Sequence, residues 1–216
     1  MPSSHSRRSF MSLVTSLAGV AAVHSTGDTV LAQTPAPGTP PWDLQWLDEF
    51  RGRHKQVYDL GGIDLDVDPR PLRFAMNYLD TFRDVYQLTF PLVNTAVGIS
   101  NSAFPMNASD RLWAKYGLGE RSKIIDPTTM KPAVRNIFLD GSPMSVKAMQ
   151  ARGTVFWQCN IALGVVAQRL AQATGMPVAE VRADLLAGLN PGVRLVPSHV
   201  MALGLAQERG FTYMKA

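Results

Sequence analysis

The sequence predicts an α/β fold, a doubly wound and mostly parallel sheet of about five strands, and three observations carry that expectation. Runs rich in β-branched and aromatic residues stand at 56–60, 90–99, 154–158, 193–196 and 211–214. Stretches with apolar residues at helical spacing lie between them, so strand and helix alternate. The one cysteine, Cys159, falls where a strand gives way to a helix.

The chain starts with a segment that does not enter the fold. Arg7-Arg8 with Phe10 behind it, an apolar run over 11–23 and a small-residue cleavage pattern at Val30-Leu31-Ala32 form a twin-arginine export signal over 1–32. The apolar run is shorter than the roughly 20 residues a membrane helix needs. Export by this route implies a periplasmic or extracytoplasmic destination, with no stable membrane span once the signal is removed. Residues 33–41 are rich in Pro, Thr and Gly and read as a linker, leaving 42–216 as one domain.

Asp43 offers a helix N-cap, with Trp46, Leu47 and Phe50 on one side and Trp42 placed as a hydrophobic staple. The basic group Arg51, Arg53, His54 and Lys55 solvates a turn around Gly52. The first strand, 56–60, closes on Gly61-Gly62. Asp64, Asp66 and Asp68 alternate as in a calcium loop, but Pro69 and Ala75 stand where that loop needs Gly and Glu, so a solvated turn is expected. Pro71 opens a helix whose stripe runs from Leu72 through Ala75, Leu79 and Phe82 to Val85. The run 90–99 reads as a buried parallel strand ending at Ser100-Asn101-Ser102.

A helix over about 108–118 precedes an irregular segment, 119–136. Loops of that length are uncommon and often functional, so either a lid over the Cys159 edge or an oligomer arm fits it. Ser142-Pro143 starts a helix through Val146 and Met149 that Gly153 stops, and it leads into the 154–158 strand. After Cys159 a helix with Leu163, Val166, Ala167 and Leu170 runs to Thr174-Gly175. Pro177 opens the next, expected to bury Val178, Val181, Leu185 and Leu186. Ser198 stands as cap of the last helix, and 211–214 closes the sheet.

Cys159 is the candidate reactive residue. In a parallel sheet the strand-to-helix junction lies on the carboxyl edge, where open α/β sheets bind ligands and the next helix presents unpaired N–H groups. A thiolate there gains roughly 0.3–1 kcal/mol from the helix dipole. Asn160, the next residue, either steadies that anion or serves as a cap. An inert core cysteine satisfies the same spacing, since free Cys is among the most buried residue types.

The segments Val155-Phe156-Trp157-Gln158-Cys159-Asn160-Ile161-Ala162-Leu163, Asn190-Pro191-Gly192-Val193-Arg194-Leu195-Val196-Pro197-Ser198 and Leu205-Ala206-Gln207-Glu208-Arg209-Gly210-Phe211-Thr212-Tyr213 together resemble the C-terminal half of the DsrE-like sulfur-relay family, over about residues 145–215. The resemblance implies a three-layer α/β fold, homo-oligomers, and in some members a persulfide on the matching cysteine, here Cys159. A sulfur donor or acceptor protein would then be its partner. The family's strand near 90–99 often ends in a His-Gly turn; Ser and Asn stand here instead, which removes that histidine from any proton transfer.

The remaining composition excludes several classes. The net charge of +4 is spread along the chain, giving no footprint for nucleic acid. No haem, dinucleotide, phosphate-loop or zinc-protease motif occurs, so no cofactor and no metal is evident. One cysteine cannot form a disulfide within the chain, and it lacks a second to resolve a mixed disulfide, which disfavours a redox enzyme unless the same residue of a neighbouring subunit supplies one. Two readings stay open: a persulfide carrier using Cys159, and a binding or assembly module in which Cys159 only packs. The apolar helical faces exceed what one small sheet covers, which points to a homo-oligomer formed through the helical pair after Cys159.

Overall fold

The apolar β-branched runs assemble into one parallel sheet, seen in the computed structural model, which describes residues 42–65 and 70–216. These residues belong to the compact unit Ala36–Ala216. The signal expected over 1–32, the linker over 33–41, and Asp66 and Asp68 of the acidic triplet lie outside the described residues. A 3-10 turn, Gln45–Glu49, precedes β1 (His54–Leu60), α1 (Arg73–Tyr86) and β2 (Val93–Ile99). Then come α2 (Phe104–Asn107), α3 (Asp110–Tyr116), α4 (Leu118–Arg121), and a short hairpin of β3 (Ile125–Asp126) and β4 (Lys131–Pro132). The chain continues with α5 (Val146–Ala151), β5 (Val155–Cys159), α6 (Asn160–Thr174), α7 (Val178–Ala187), β6 (Arg194–Val196), α8 (His199–Glu208) and β7 (Thr212–Lys215).

The main sheet has the order β6-β5-β2-β1-β7, with every neighbouring pair parallel. Its connections step in one direction from β1 through β2 and β5 to β6. The last one, through α8, returns across the sheet to the far edge beside β1. Helices therefore cover both faces, and the fold is a three-layer α/β arrangement as expected. On one face Val57, Ala96, Trp157 and Val196 pack against α8 and the Gln45–Glu49 turn. On the other, Tyr58, Val97, Ile99 and Phe156 meet α1 and α5. A third apolar cluster joins α3, α4, α6 and α7, with Leu195 of β6 against it.

Local physics moves several elements from their expected forms. The 43–50 segment is a tight 3-10 turn, because Trp46, Leu47 and Phe50 must all face inward only four residues before β1 begins. Asp43 still accepts a hydrogen bond from the Gln45 N–H at 3.0 Å, while Trp42 stays exposed and staples nothing. The α1 stripe stops before Val85, which is exposed, since Gln87 turns the chain into the left-handed region one residue past the helix. Phe90 and Leu92 are exposed, and pairing starts at Val93. Helix α5 starts three residues later than Pro143, because the Ser145 side chain takes the Ala148 N–H as its cap.

In the 119–136 segment Ile124 and Ala133 are buried against the α3, α6 and α7 cluster, so the segment is seated on the domain's own core. The α6–α7 pair turns Leu163, Ala167, Leu170, Val181 and Leu185 into that cluster, leaving Val178 and Leu186, expected to be buried, at the surface with Ile161. Among the described residues no helix is long and apolar enough to cross a membrane, and no group of three or more His, Cys, Asp or Glu side chains gathers to hold a metal.

Leu185 and Leu186 therefore have opposite fates. Leu185→Glu places a charge without a partner at a fully buried position and should cost about 3 kcal/mol or more, while Leu186→Glu should cost under about 1 kcal/mol; urea unfolding of both variants measures this.

Asp184 ties α7 to α3. It accepts from Lys115 Nζ and Tyr116 OH, both at 2.8 Å, and pairs with Arg111. Burial pushes its carboxyl up, but the hydrogen bonds from Lys115, Arg111 and Tyr116 outweigh this and hold it at about 2. A carboxyl held below its unfolded value of about 3.9 stabilises the fold fully above that pH and loses the contribution as pH falls towards 2. Stability followed by urea unfolding should drop through that acid window in the wild type. Asp184→Asn should flatten the drop and lower stability at neutral pH by about 1 kcal/mol.

Candidate functional site

Cys159 ends β5 and at the same time caps α6. Its backbone is extended, with φ −70° and ψ 123°, and its Sγ accepts the Ala162 N–H at 3.4 Å. That is the contact a Ser or Asp cap makes, made here by sulfur. Strand β6 lies beside β5, with Cys159 paired to Val196, so the chain leaving β6 passes close to the same sulfur. There α8 begins, and the His199 N–H also points at Cys159 Sγ, at 3.3 Å. The Ser198 side chain, expected to cap α8, makes no capping bond; the neighbouring strand's thiol occupies that role.

Two helix starts thus converge on one sulfur. Helices α6 and α8 have 15 and 10 residues. Both helices present the positive ends of their dipoles to Cys159. The residue is buried, at 5% exposure. Asn160 does not complete the arrangement: its Oδ1 accepts from the Arg182 guanidinium on α7. Backbone N–H groups supply the polar contacts to the sulfur.

Behind Cys159 lies a side-chain chain that crosses three strands. Asp59, Gly98 and Trp157 are register partners on β1, β2 and β5. With Val57 and Trp157 on the α8 face, the alternation of strand residues puts Asp59 and Gly98 there too. The Trp157 Nε1–H donates to His199 Nδ1 at 3.1 Å. An indole can only donate, so Nδ1 is the bare nitrogen and Nε2 carries the hydrogen. That Nε2–H donates to Asp59 Oδ1 at 2.7 Å, and the Tyr213 hydroxyl donates to Asp59 Oδ2 at 2.8 Å. The hydrogen bond to Asp59, followed by burial and the Asp59 charge, raises the Tyr213 hydroxyl above its usual range.

With both ring nitrogens engaged, the His199 side chain is a brace. It fixes the first residue of α8, and so aims the backbone N–H at the thiol. His199, Asp59, Trp157 and Tyr213 were not singled out in the sequence as site residues. The available clue was slight: after residue 32 only His54 and His199 occur, and His199 follows a serine at the start of an apolar helix.

No protein-family model matches the chain, and no curated protein is significantly similar to it. Among solved structures it is similar to a protein of unknown function from Methanobacterium thermoautotrophicum, at 15% identity and a TM-score of 0.40, over 76% of this chain and 99% of that one.

Gly98 makes the His199 brace possible. A Cβ there would stand inside the Trp157 ring contact and 2.7 Å from His199 Cε1. Gly98→Ala should therefore displace both rings and cost about 1–3 kcal/mol, measured by urea unfolding with tryptophan fluorescence reporting the indole's changed surroundings.

Proposed function

We propose that this chain is an exported, DsrE-like sulfur carrier that holds sulfane sulfur as a persulfide on Cys159. The observation that carries the reading is the pair of N–H donors, Ala162 and His199, directed at Sγ from the starts of α6 and α8. In the transfer, the Cys159 thiolate attacks the outer sulfur of a donor persulfide. One S–S bond forms to Cys159, the donor's S–S bond breaks, and the donor leaves as a thiolate. The transferred sulfur carries the negative charge, so no outside oxidant or reductant is needed.

A protein is the fitting donor or acceptor. Ile161 on the first turn of α6, and Val200 and Met201 on the first turn of α8, are exposed apolar residues on the two helices whose starts meet at the thiol. The exposed Ile161, Val178 and Leu186 also support a homo-oligomer through the α6–α7 pair.

Burial of Cys159 favours a second reading, in which the thiol is a structural cap inside a binding or assembly module. Mass spectrometry after treatment with polysulfide separates the two. A persulfide carrier gains about 32 Da, one sulfur atom, on Cys159, lost on reduction with dithiothreitol. Cys159→Ser should abolish the gain while leaving assembly size unchanged. An unmodified Cys159 that resists alkylation in the folded protein would leave the structural reading.

A further inference from the structure

An opening on the carboxyl edge of the sheet has no part in the thiol site. This cleft, of about 480 Å³, lies beyond the ends of β1 and β2, against the second half of α6. Phe104, Pro105, Val166 and Leu170 give it an apolar lining. Arg121 at the end of α4 and Arg169 on α6 stand at its rim, with Asn101 and Ser102 on the strand-end side. Cys159 does not line it. Arg169 follows Cys159 by ten residues, roughly 15 Å along the helix at about 1.5 Å per residue.

The polar groups around the cleft are arranged to meet a ligand. Arg121 Nε donates to the Tyr116 carbonyl at 2.7 Å, which sets the orientation of the guanidinium and leaves its terminal nitrogens unspent. Among the described residues neither Arg121 nor Arg169 is paired with a carboxylate. Gly62 packs closely on this side, since a Cβ there would lie 2.9 Å from Ser102 Oγ. Asn101 is held in the left-handed region, at φ +43°. Two guanidiniums without a carboxylate partner among the described residues, with serine hydroxyls and an amide beside an apolar cleft, are complementary to a molecule with one anionic end and an apolar body.

We propose that this cleft is a binding site for a small organic anion, a carboxylate or phosphate ester with an aryl body of one or two rings. Arg121 and Arg169 take the anionic group, with Ser102 and Asn101 as further donors. The apolar body lies against the cleft's apolar lining, where half-buried Val166 is the accessible side chain. The site is independent of the sulfur chemistry at Cys159.

Isothermal titration of the purified full chain with 2-naphthoate, phenyl phosphate and the neutral isostere 2-naphthamide tests the assignment. At least one anion should bind saturably at a single site, with the amide at least about tenfold weaker than the acid. Arg121→Glu and Arg169→Glu change exposed side chains and should each weaken anion binding by about tenfold or more, with unchanged circular dichroism. If a charge reversal disturbs the fold, Arg121→Gln and Arg169→Gln carry the same comparison. Cys159→Ser should bind as the wild type does. Equal affinity for acid and amide, wild-type binding in both arginine variants, or no saturation by either anion below about 10 mM would overturn the proposal.

Discussion

The meeting of two helix starts at one sulfur is the constraint around which this chain is arranged. A helix leaves several N–H groups unpaired at its start, and burying them without partners is costly. Here β5 and β6 are neighbours that end on the same edge, and the helices following them begin within reach of each other. The Cys159 sulfur answers one N–H of each, so a single side chain caps two helices. Sulfur suits the place because it is larger than a hydroxyl oxygen and accepts at 3.3–3.4 Å, long enough to serve two backbones that cannot approach more closely.

Everything behind the sulfur helps to keep α8 in that position. The backbone N–H of His199 is aimed by a ring that is itself held from both sides, by the Trp157 indole and the Asp59 carboxylate. Asp59 in turn is engaged by Tyr213 from the edge strand β7. The braces come from β1, β5 and β7, and Gly98 on β2 contributes by having no side chain to intrude. Four of the five strands thus contribute to the placement of one backbone donor. The rings are fitted over the sheet surface, so the polar groups beneath α8 are paired with one another and do not interrupt the apolar packing of Val57, Ala96 and Val196.

The alternation of strand and helix, and the junction at Cys159, were legible because each depends on residues adjacent in the chain. Val155-Phe156-Trp157 reads as strand and Leu163 to Leu170 as helix wherever the segment is placed. The brace was not legible, since Asp59 and His199 are 140 residues apart and meet only because β1 and β6 end on the same edge. Asn160 shows the limit of local inference in a second way. Its position after the cysteine suggested a partner for the thiol, but Arg182 on α7 approaches from the other side and takes its carbonyl oxygen. Ser198 has the composition of a cap and makes no capping bond, because the sulfur of the neighbouring strand already supplies the contact.

The tautomer of His199 narrows the chemistry available to the sulfur. A cysteine can be activated by an imidazole that removes its proton, or by fixed dipoles that favour its charged form. The first route needs a bare ring nitrogen facing the thiol, and His199 has none: Nδ1 receives the indole hydrogen and Nε2–H is given to Asp59. Only the backbone of His199 is directed at Sγ. The polar contacts to the sulfur are two backbone N–H groups, which do not titrate and cannot shuttle a proton. Such an arrangement suits holding a charged sulfur better than driving repeated acid-base steps. The proposed persulfide is compatible with such fixed donors, because its outer sulfur is anionic and its transfer requires no proton from the site.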